Sequence, residues 1–236
     1  MSEATTGRTD PLAAEILRLI RDRGLRAGDP MPTELELIDH LSVSRNTVRE
    51  AIRGLRALGI VEIRHGHGTF VGDGSLAVLA PSLVFRTLAH GDAGGLLNLV
   101  DIRELVEVGT MDALAGSLSG ETLSHLDSLC DEMVRTSLDP AVDREFHRTL
   151  YAGLSNPLVG QLVDLFWDSY HAASAALTLP PDASNAVRTA EQHRAIVSAL
   201  RAAQPGEART AMTEHFADIR QRLAQLIEPA RATQDS

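Results

Sequence analysis

At 236 residues, with 44% hydrophobic and only 3% aromatic side chains, the chain is too long for one small domain and fits a short unit followed by a larger one. Abundant Ala and Leu favour helices over a sandwich or barrel. The single Cys130 excludes an intramolecular disulfide framework, and no stretch joins a basic start to an apolar run long enough for a leader or a membrane span, so a cytoplasmic protein without a membrane partner is expected. A formal net charge of -10 opposes DNA binding unless positive charge is concentrated locally. It is: residues 1–73 carry 10 Arg against 11 acidic residues, residues 74–236 carry 12 against 21, and residues 41–68 hold five Arg and two Glu with His65 and His67. Every basic side chain is Arg, so Arg enrichment by itself is no recognition signal.

In chain order, the first predicted helix covers residues 11–23, with Asp10 as N-cap, Pro11 at the first helical position, Gly24 at the end and an apolar stripe of Leu12, Ile16, Leu19 and Ile20. After Gly28-Asp29-Pro30, Thr33 and Glu36 have the spacing of a capping box for a short helix with Leu37, Ile38 and Leu41 on its apolar face. Ser42-Val43-Ser44 reads as a tight turn, and Ser44 caps a third helix running to about Leu58. There Val48, Ala51, Ile52 and Leu55 form the inward stripe, and Arg45, Arg49, Arg53 and Arg56 recur at helical spacing on another face. Residues 60–64 and 69–71 read as strands around the tip His65-Gly66-His67-Gly68. Helix, turn, helix and wing is the order of a DNA reader, although a basic stripe alone also describes a solvated helix.

Gly72-Asp73-Gly74 reads as a flexible hinge, which divides the chain into a DNA-binding domain over 1–73 and a helical domain over 74–236. Helices are predicted over 75–90, 95–118, 121–136, 140–153, 157–178, 188–203 and 206–228, separated at His90-Gly91, Ser119-Gly120, Asp139-Pro140, Ser155-Asn156-Pro157, Pro180-Pro181 and Pro205-Gly206. The loop at 91–95 lacks the Lys-Ser/Thr ending of a phosphate loop and reads as a connector. The fold class is mainly α: an N-terminal winged helix-turn-helix with a small β wing, then an all-α antiparallel helical bundle.

Four polar residues of this second part occupy apolar stripes. Asp143 and His147 lie with Phe146, Leu150 and Leu154; His193 with Ile196, Val197 and Leu200; His215 with Met212, Phe216 and Ile219. Polar groups on a core face are costly unless satisfied, and one cation would satisfy all four. Hydrogen-bonded core histidines and a local Asp143–His147 pair are the alternatives. No inward carboxylate with a general-base assignment is visible, and His40, His90, His125 and His171 carry no assigned role beyond His171 as a cavity liner. Trp167 and Tyr170 read as core packing, with lining of the cavity as the alternative, and Cys130 as a buried thiol.

Residues 10–71 resemble the DNA-binding domain of the GntR family of bacterial regulators, through Pro32-Thr33-Glu34, Val43-Ser44-Arg45, Val48-Arg49-Glu50-Ala51 and Gly68-Thr69-Phe70-Val71. The resemblance implies that the third helix enters the major groove, with Ser44, Arg45, Asn46, Thr47, Arg49 and Arg53 at the DNA and His65 and Gly66 of the wing in the minor groove. Arg45 and Arg49 are the specificity candidates, because Arg bidentate to guanine is the commonest direct readout. Many members carry Arg after Glu34; this chain has Leu35, so that contact is not carried over.

The second part resembles the FCD effector domain of the FadR-like subgroup, through Asp143-Arg144-Glu145-Phe146-His147, Asn156, Glu191-Gln192-His193-Arg194-Ala195-Ile196 and the His215 helix. The resemblance implies one divalent metal per chain on Asp143, His147, His193 and His215, zinc first, with nickel or manganese also suited to the donors. It also points to Arg103, within Asp101-Ile102-Arg103-Glu104-Leu105-Val106-Glu107, as an effector grip for a small carboxylate. An i, i+4 ion pair with Glu107 is the competing reading. The expected function is a ligand-responsive regulator, a repressor of a metabolic operon and not an enzyme, working as a homodimer on a pseudo-palindromic operator in double-stranded DNA. The alternatives are a metal-dependent enzyme and a constitutive DNA-binding dimer whose helical domain is structural.

Overall fold

The computed structural model describes residues 11–89, 94–179 and 186–234, with side chains up to Leu226. Asp10 as N-cap, His90, the connector at 91–93 and the Pro180-Pro181 break lie outside the described residues. The chain divides into two compact units, the first ending at Val78 and the second starting at Leu79.

In the first unit, α1 (Pro11–Asp22) buries Leu12, Ala13, Ile16 and Leu19. Its chain reverses through Gly24 at φ +64°, a backbone region that glycine enters without steric cost. The capping box forms at the start of α2 (Glu34–Leu41): Glu36 N donates to Thr33 Oγ1 at 3.3 Å, and Thr33 N donates to Glu36 Oε2 at 2.7 Å. Ser42 takes the left-handed conformation to end α2, and Ser44 caps α3 (Arg45–Ala57) by accepting from Thr47 N. Each such cap stabilises its helix by about 1 kcal/mol. Val48, Ala51, Ile52 and Leu55 of α3 pack with Leu37 of α2 and Ile16 of α1 in one core. The wing is the antiparallel pair β1 (Val61–Arg64) and β2 (Gly68–Val71), in the register Val61 opposite Val71 to Arg64 opposite Gly68.

The Gly72-Asp73-Gly74 segment is not the free hinge expected from its composition. Gly72 N donates to Ile60 O at 2.8 Å and Gly74 N to Gly59 O at 3.2 Å. A Cβ at Gly72 would fall 2.1 Å from the Gly59 carbonyl oxygen. The glycine here permits close backbone approach and ties the segment to the wing.

The helix expected over 75–90 is interrupted. Residues Leu76–Leu79 form a 3-10 turn, and α4 (Ala80–Leu88) starts anew. Pro81 accounts for this, since it lacks an N–H and its ring clashes with a preceding helical turn, so it suits the first turn of α4 and not the interior of a longer helix. Beyond it come α5 (Gly94–Leu114), α6 (Gly120–Arg135), α7 (Pro140–Tyr151), α8 (Pro157–Ala176), α9 (Ala186–Arg201) and α10 (Pro205–Gln234). α7 and α8 each place proline in the first turn behind a side-chain cap, Asp139 and Asn156. α10 runs past the expected end at residue 228. α5 packs on α10 and α8, α9 on α6 and α10, and α7 on α6 and α8, around a core that includes Leu96, Met111, Leu126, Met133, Phe146, Ile196 and Phe216. The helix centred on α7 therefore lies within a bundle whose inward faces come from separate segments.

Gly72→Ala tests the backbone contact. It is expected to lower stability by about 1–3 kcal/mol through overpacking, measured by urea unfolding of the full chain, whereas Gly54→Ala, whose Cβ would meet nothing within 4 Å, should not destabilise.

Candidate functional site

The second unit brings three of the four proposed metal ligands into one group. His147 on α7, His193 on α9 and His215 on α10 are 1%, 0% and 4% exposed, and they offer ligand atoms all within 4.8 Å of one another. Each arises from a helical stripe that faces the core: Phe146 and Leu150 flank His147, Ile196 and Val197 follow His193, and Met212 and Phe216 flank His215. Asp143, one turn before His147, completes the border. Its Oδ1 lies 3.3 Å from His193 Nε2 and 3.9 Å from His147 Nε2.

The donors fit a divalent ion. His147 Nε2, His193 Nε2 and His215 Nδ1 are buried without a hydrogen-bond partner, which is costly for polar atoms in a core. An ion holding nitrogen at about 2.0–2.1 Å spaces its donors by roughly 3–4 Å, and the three imidazole donors lie within 4.8 Å of one another. Burial, together with the neighbouring His193 and His147, holds the His215 imidazole well below its usual pKa, in the neutral form that ligation requires. Burial opposes ionisation of Asp143, but the neighbouring His193 and His147 imidazoles and the Trp167 N–H outweigh it, and the carboxyl stays well below the usual carboxylate range.

The remaining contacts orient these groups. His193 Nδ1 meets Thr189 O at 2.8 Å, one turn back on α9, and Trp167 Nε1 donates to Asp143 Oδ2 at 2.9 Å from α8. Core packing is therefore an incomplete account of Trp167. His171 stacks on its ring with centroids 3.5 Å apart.

Arg103, the proposed effector grip, is 3% exposed and paired with Glu107: Nε donates to Oε1 at 2.9 Å. The i, i+4 pair anticipated as the competing reading is present, yet it leaves Arg103 Nη2 buried and unpartnered. Glu107 is the inward carboxylate that the sequence reading missed. It is 0% exposed; its Oε2 accepts from Tyr151 Oη at 2.9 Å and lies 2.8 Å from His147 Nδ1, a close approach set off the direction of a well-formed hydrogen bond. Burial would raise this carboxyl, but Arg103 beside it, with His147 and Tyr151, brings it down to about 2. Apolar residues surround α5 on all sides, so no inward face stood out around Glu107.

In the first unit, Arg45, Arg49, Arg53 and Arg56 are exposed on α3, opposite its buried stripe. Asn46, Thr47, His65 and Gly66 are exposed as well, and the Ser44 hydroxyl sits within 2.8 Å of Thr47 Oγ1. Arg49 Nε donates to both oxygens of Glu34, at 3.0 and 3.1 Å, and Arg53 pairs with Glu50. Arg45 has no hydrogen bond or ion pair among the described residues.

Arg103→Met alone strands Glu107 as a buried charge and is expected to cost about 3–5 kcal/mol, whereas the double variant Arg103→Met/Glu107→Met should recover most of that loss. Denaturant unfolding of the single and double variants checks this.

Two family models match the chain: "Bacterial regulatory proteins, gntR family" over residues 8–71 and "FCD domain" over residues 98–218. The transcriptional repressor NanR of Cronobacter sakazakii is 30% identical, with 87% of this chain and 81% of that protein covered. The galactonate operon transcriptional repressor of Escherichia coli is 25% identical, with coverages of 94% and 99%. Among solved structures, a GntR protein of Streptococcus agalactiae superposes with a TM-score of 0.66 at 28% identity, covering 91% of this chain and all of that one. Proteins of this kind bind operator DNA, and no described helix is long and apolar enough to cross a membrane. The chain belongs to the GntR family of bacterial regulatory proteins, as a transcription regulator with the family's DNA-binding domain followed by an FCD domain.

Proposed function

We propose that this regulator is a homodimeric repressor of a metabolic operon, and that a small carboxylate bound beside a metal centre in the second unit sets its affinity for a pseudo-palindromic operator. One observation carries the reading: three buried imidazoles with unpartnered nitrogens stand next to Asp143 and are joined, through Glu107, to an Arg whose Nη2 is also buried and unpartnered. Asp143, His147, His193 and His215 would hold one divalent ion, zinc first, with nickel or manganese as alternatives. When bound, the ion supplies positive charge and open coordination positions for an anion. Arg103 Nη2 gives the second point of attachment, a directional donor to a carboxylate oxygen. The names of the two repressor relatives support the metabolic assignment and its sign, which this reading takes for the present chain.

On the DNA side, α3 is assigned to the major groove and the wing residues His65 and Gly66 to the minor groove. Glu34 occupies the Nε of Arg49 and leaves both of its Nη groups for base edges, while Arg45 is unengaged among the described residues. Ser44 and Thr47 at the helix start suit phosphate, where the helix N-terminus adds its own N–H groups, with Asn46 beside them. Arg53 is assigned a backbone contact because exchanging its exposed partner Glu50 for a phosphate costs little.

Effector binding can change operator affinity only by the difference in its affinity for the DNA-competent and DNA-incompetent forms. A dimer presents two copies of α3 to two half-sites, so displacement of one unit from its half-site weakens the whole complex.

Elemental analysis of protein prepared without chelator is expected to give about one metal per chain, lost in His147→Ala and His193→Ala. Trp167, the single Trp of the chain, donates to Asp143 and should report zinc addition as a change in emission. Absence of metal after exposure to zinc, nickel and manganese would reduce these histidines to core residues and leave a DNA-binding dimer with an unknown signal. In operator titrations, Arg45→Ala should cost about 1–3 kcal/mol and relax sequence preference, and Arg53→Ala should weaken all sequences alike and lower the salt slope by about one.

A further inference from the structure

We infer that Glu107 is a positioning residue for the metal centre: it fixes the ring of His147 from the side opposite the ion and joins that ring to Arg103. The inference rests on the metal reading above and adds to it a residue from a helix that supplies none of the four proposed ligands.

His147 presents two nitrogens to different neighbours. Nε2 lies 3.9 Å from Asp143 Oδ1 on the side of the proposed ligands, while Nδ1 lies 2.8 Å from Glu107 Oε2, off the direction of a well-formed hydrogen bond. An imidazole that ligates through one nitrogen carries its proton on the other, and the group that receives that proton sets both the tautomer and the ring plane. Glu107 is suited to the task because it is itself immobile. Oε1 accepts from Arg103 Nε and Oε2 from Tyr151 Oη, both at 2.9 Å, and the side chain is wholly buried. Tyr151 lies one turn beyond His147 on α7, its ring stacked near the imidazole with centroids 6.4 Å apart. A carboxylate anchored by two donors from α5 and α7 offers the Nδ1 proton an acceptor at a fixed place, which selects the ring orientation.

The same carboxylate carries a consequence for regulation. A ligand that draws Arg103 toward itself through Nη2 weakens the hold of Arg103 on Glu107 Oε1, and Glu107 is the neighbour of His147 Nδ1. Occupancy at Arg103 and occupancy at the imidazoles are therefore linked through one side chain, and such linkage acts equally in both directions.

The experiment is zinc titration of the full chain in competition with a chromophoric chelator, on the native protein and on Glu107→Gln, Tyr151→Phe and Arg103→Met/Glu107→Met. Glu107→Gln keeps the shape and removes the charge; loss of a carboxylate of this kind lowers metal affinity by about 10- to 100-fold. The double variant separates positioning from stability, because it removes the buried pair together and leaves no stranded charge. Circular dichroism of the apo proteins identifies any variant that fails to fold. Supporting results are weaker zinc binding by about tenfold or more in the folded double variant and in Glu107→Gln, with a smaller loss in Tyr151→Phe. Native zinc affinity in the folded double variant overturns the inference, because Glu107 would then serve only Arg103. Should the native protein bind no zinc, nickel or manganese, the metal reading itself fails and the inference falls with it, an outcome distinct from the previous one.

Discussion

The second unit depends on a carboxylate and a guanidinium that share one buried position. Either charge alone would cost several kcal/mol in that interior, and the pair is tolerable because each charge offsets the other and both oxygens of Glu107 accept hydrogen bonds. Glu107 meets Arg103 from its own helix and Tyr151 and His147 from α7. The satisfaction of one acid thus links side chains of α5 and α7, two helices that otherwise pack mainly on other neighbours. The imidazole trio adjoins this network through His147, whose Nδ1 lies 2.8 Å from Glu107 Oε2. The second fixed point is Asp143, held by Trp167 of α8.

Exposure gives the first unit a different character. Its stability comes from a core shared by α1, α2, α3 and the wing, together with well-formed caps at Thr33 and Ser44. The ion pairs on its surface, Arg49–Glu34 and Arg53–Glu50, are solvated and individually worth about 0.2–1 kcal/mol. Such pairs orient side chains without committing them, and phosphate or a base edge can take the place of the carboxylate at small cost. The ion pairs on α3 are thus exchangeable, whereas the Glu107–Arg103 pair of the second unit is buried and fixed.

Much of this was legible before any coordinates. The helix-turn-helix reads directly because its boundaries are set by local chemistry: Thr33 with Glu36, Ser44 with the N–H of Thr47, and the glycines of the wing tip. The inward histidines read from helical spacing alone. Where the reading failed, the determinant was not local. Pro81 divides the helix expected over 75–90 although the apolar pattern continues through it. Gly72 looks like a hinge until its hydrogen bond to Ile60 is seen. Trp167 was assigned to packing because periodicity reports burial and is silent about a polar partner 24 residues away. Glu107 escaped notice because α5 carries apolar side chains on its exposed side as well, Ile102 and Leu105 among them, so an acid four residues after an Arg reads as a local pair.

The sequence by itself determined the elements, their caps and the residues that face inward, since these follow from spacing along one helix and from side chains that bond to their own backbone. Only the tertiary structure decided which inward polar groups meet. Tyr151 reaches Glu107 across 44 residues, and the three imidazoles come from three separate helices. Such meetings depend on how helices pack, a property of the whole bundle, and no periodicity within a single segment encodes it.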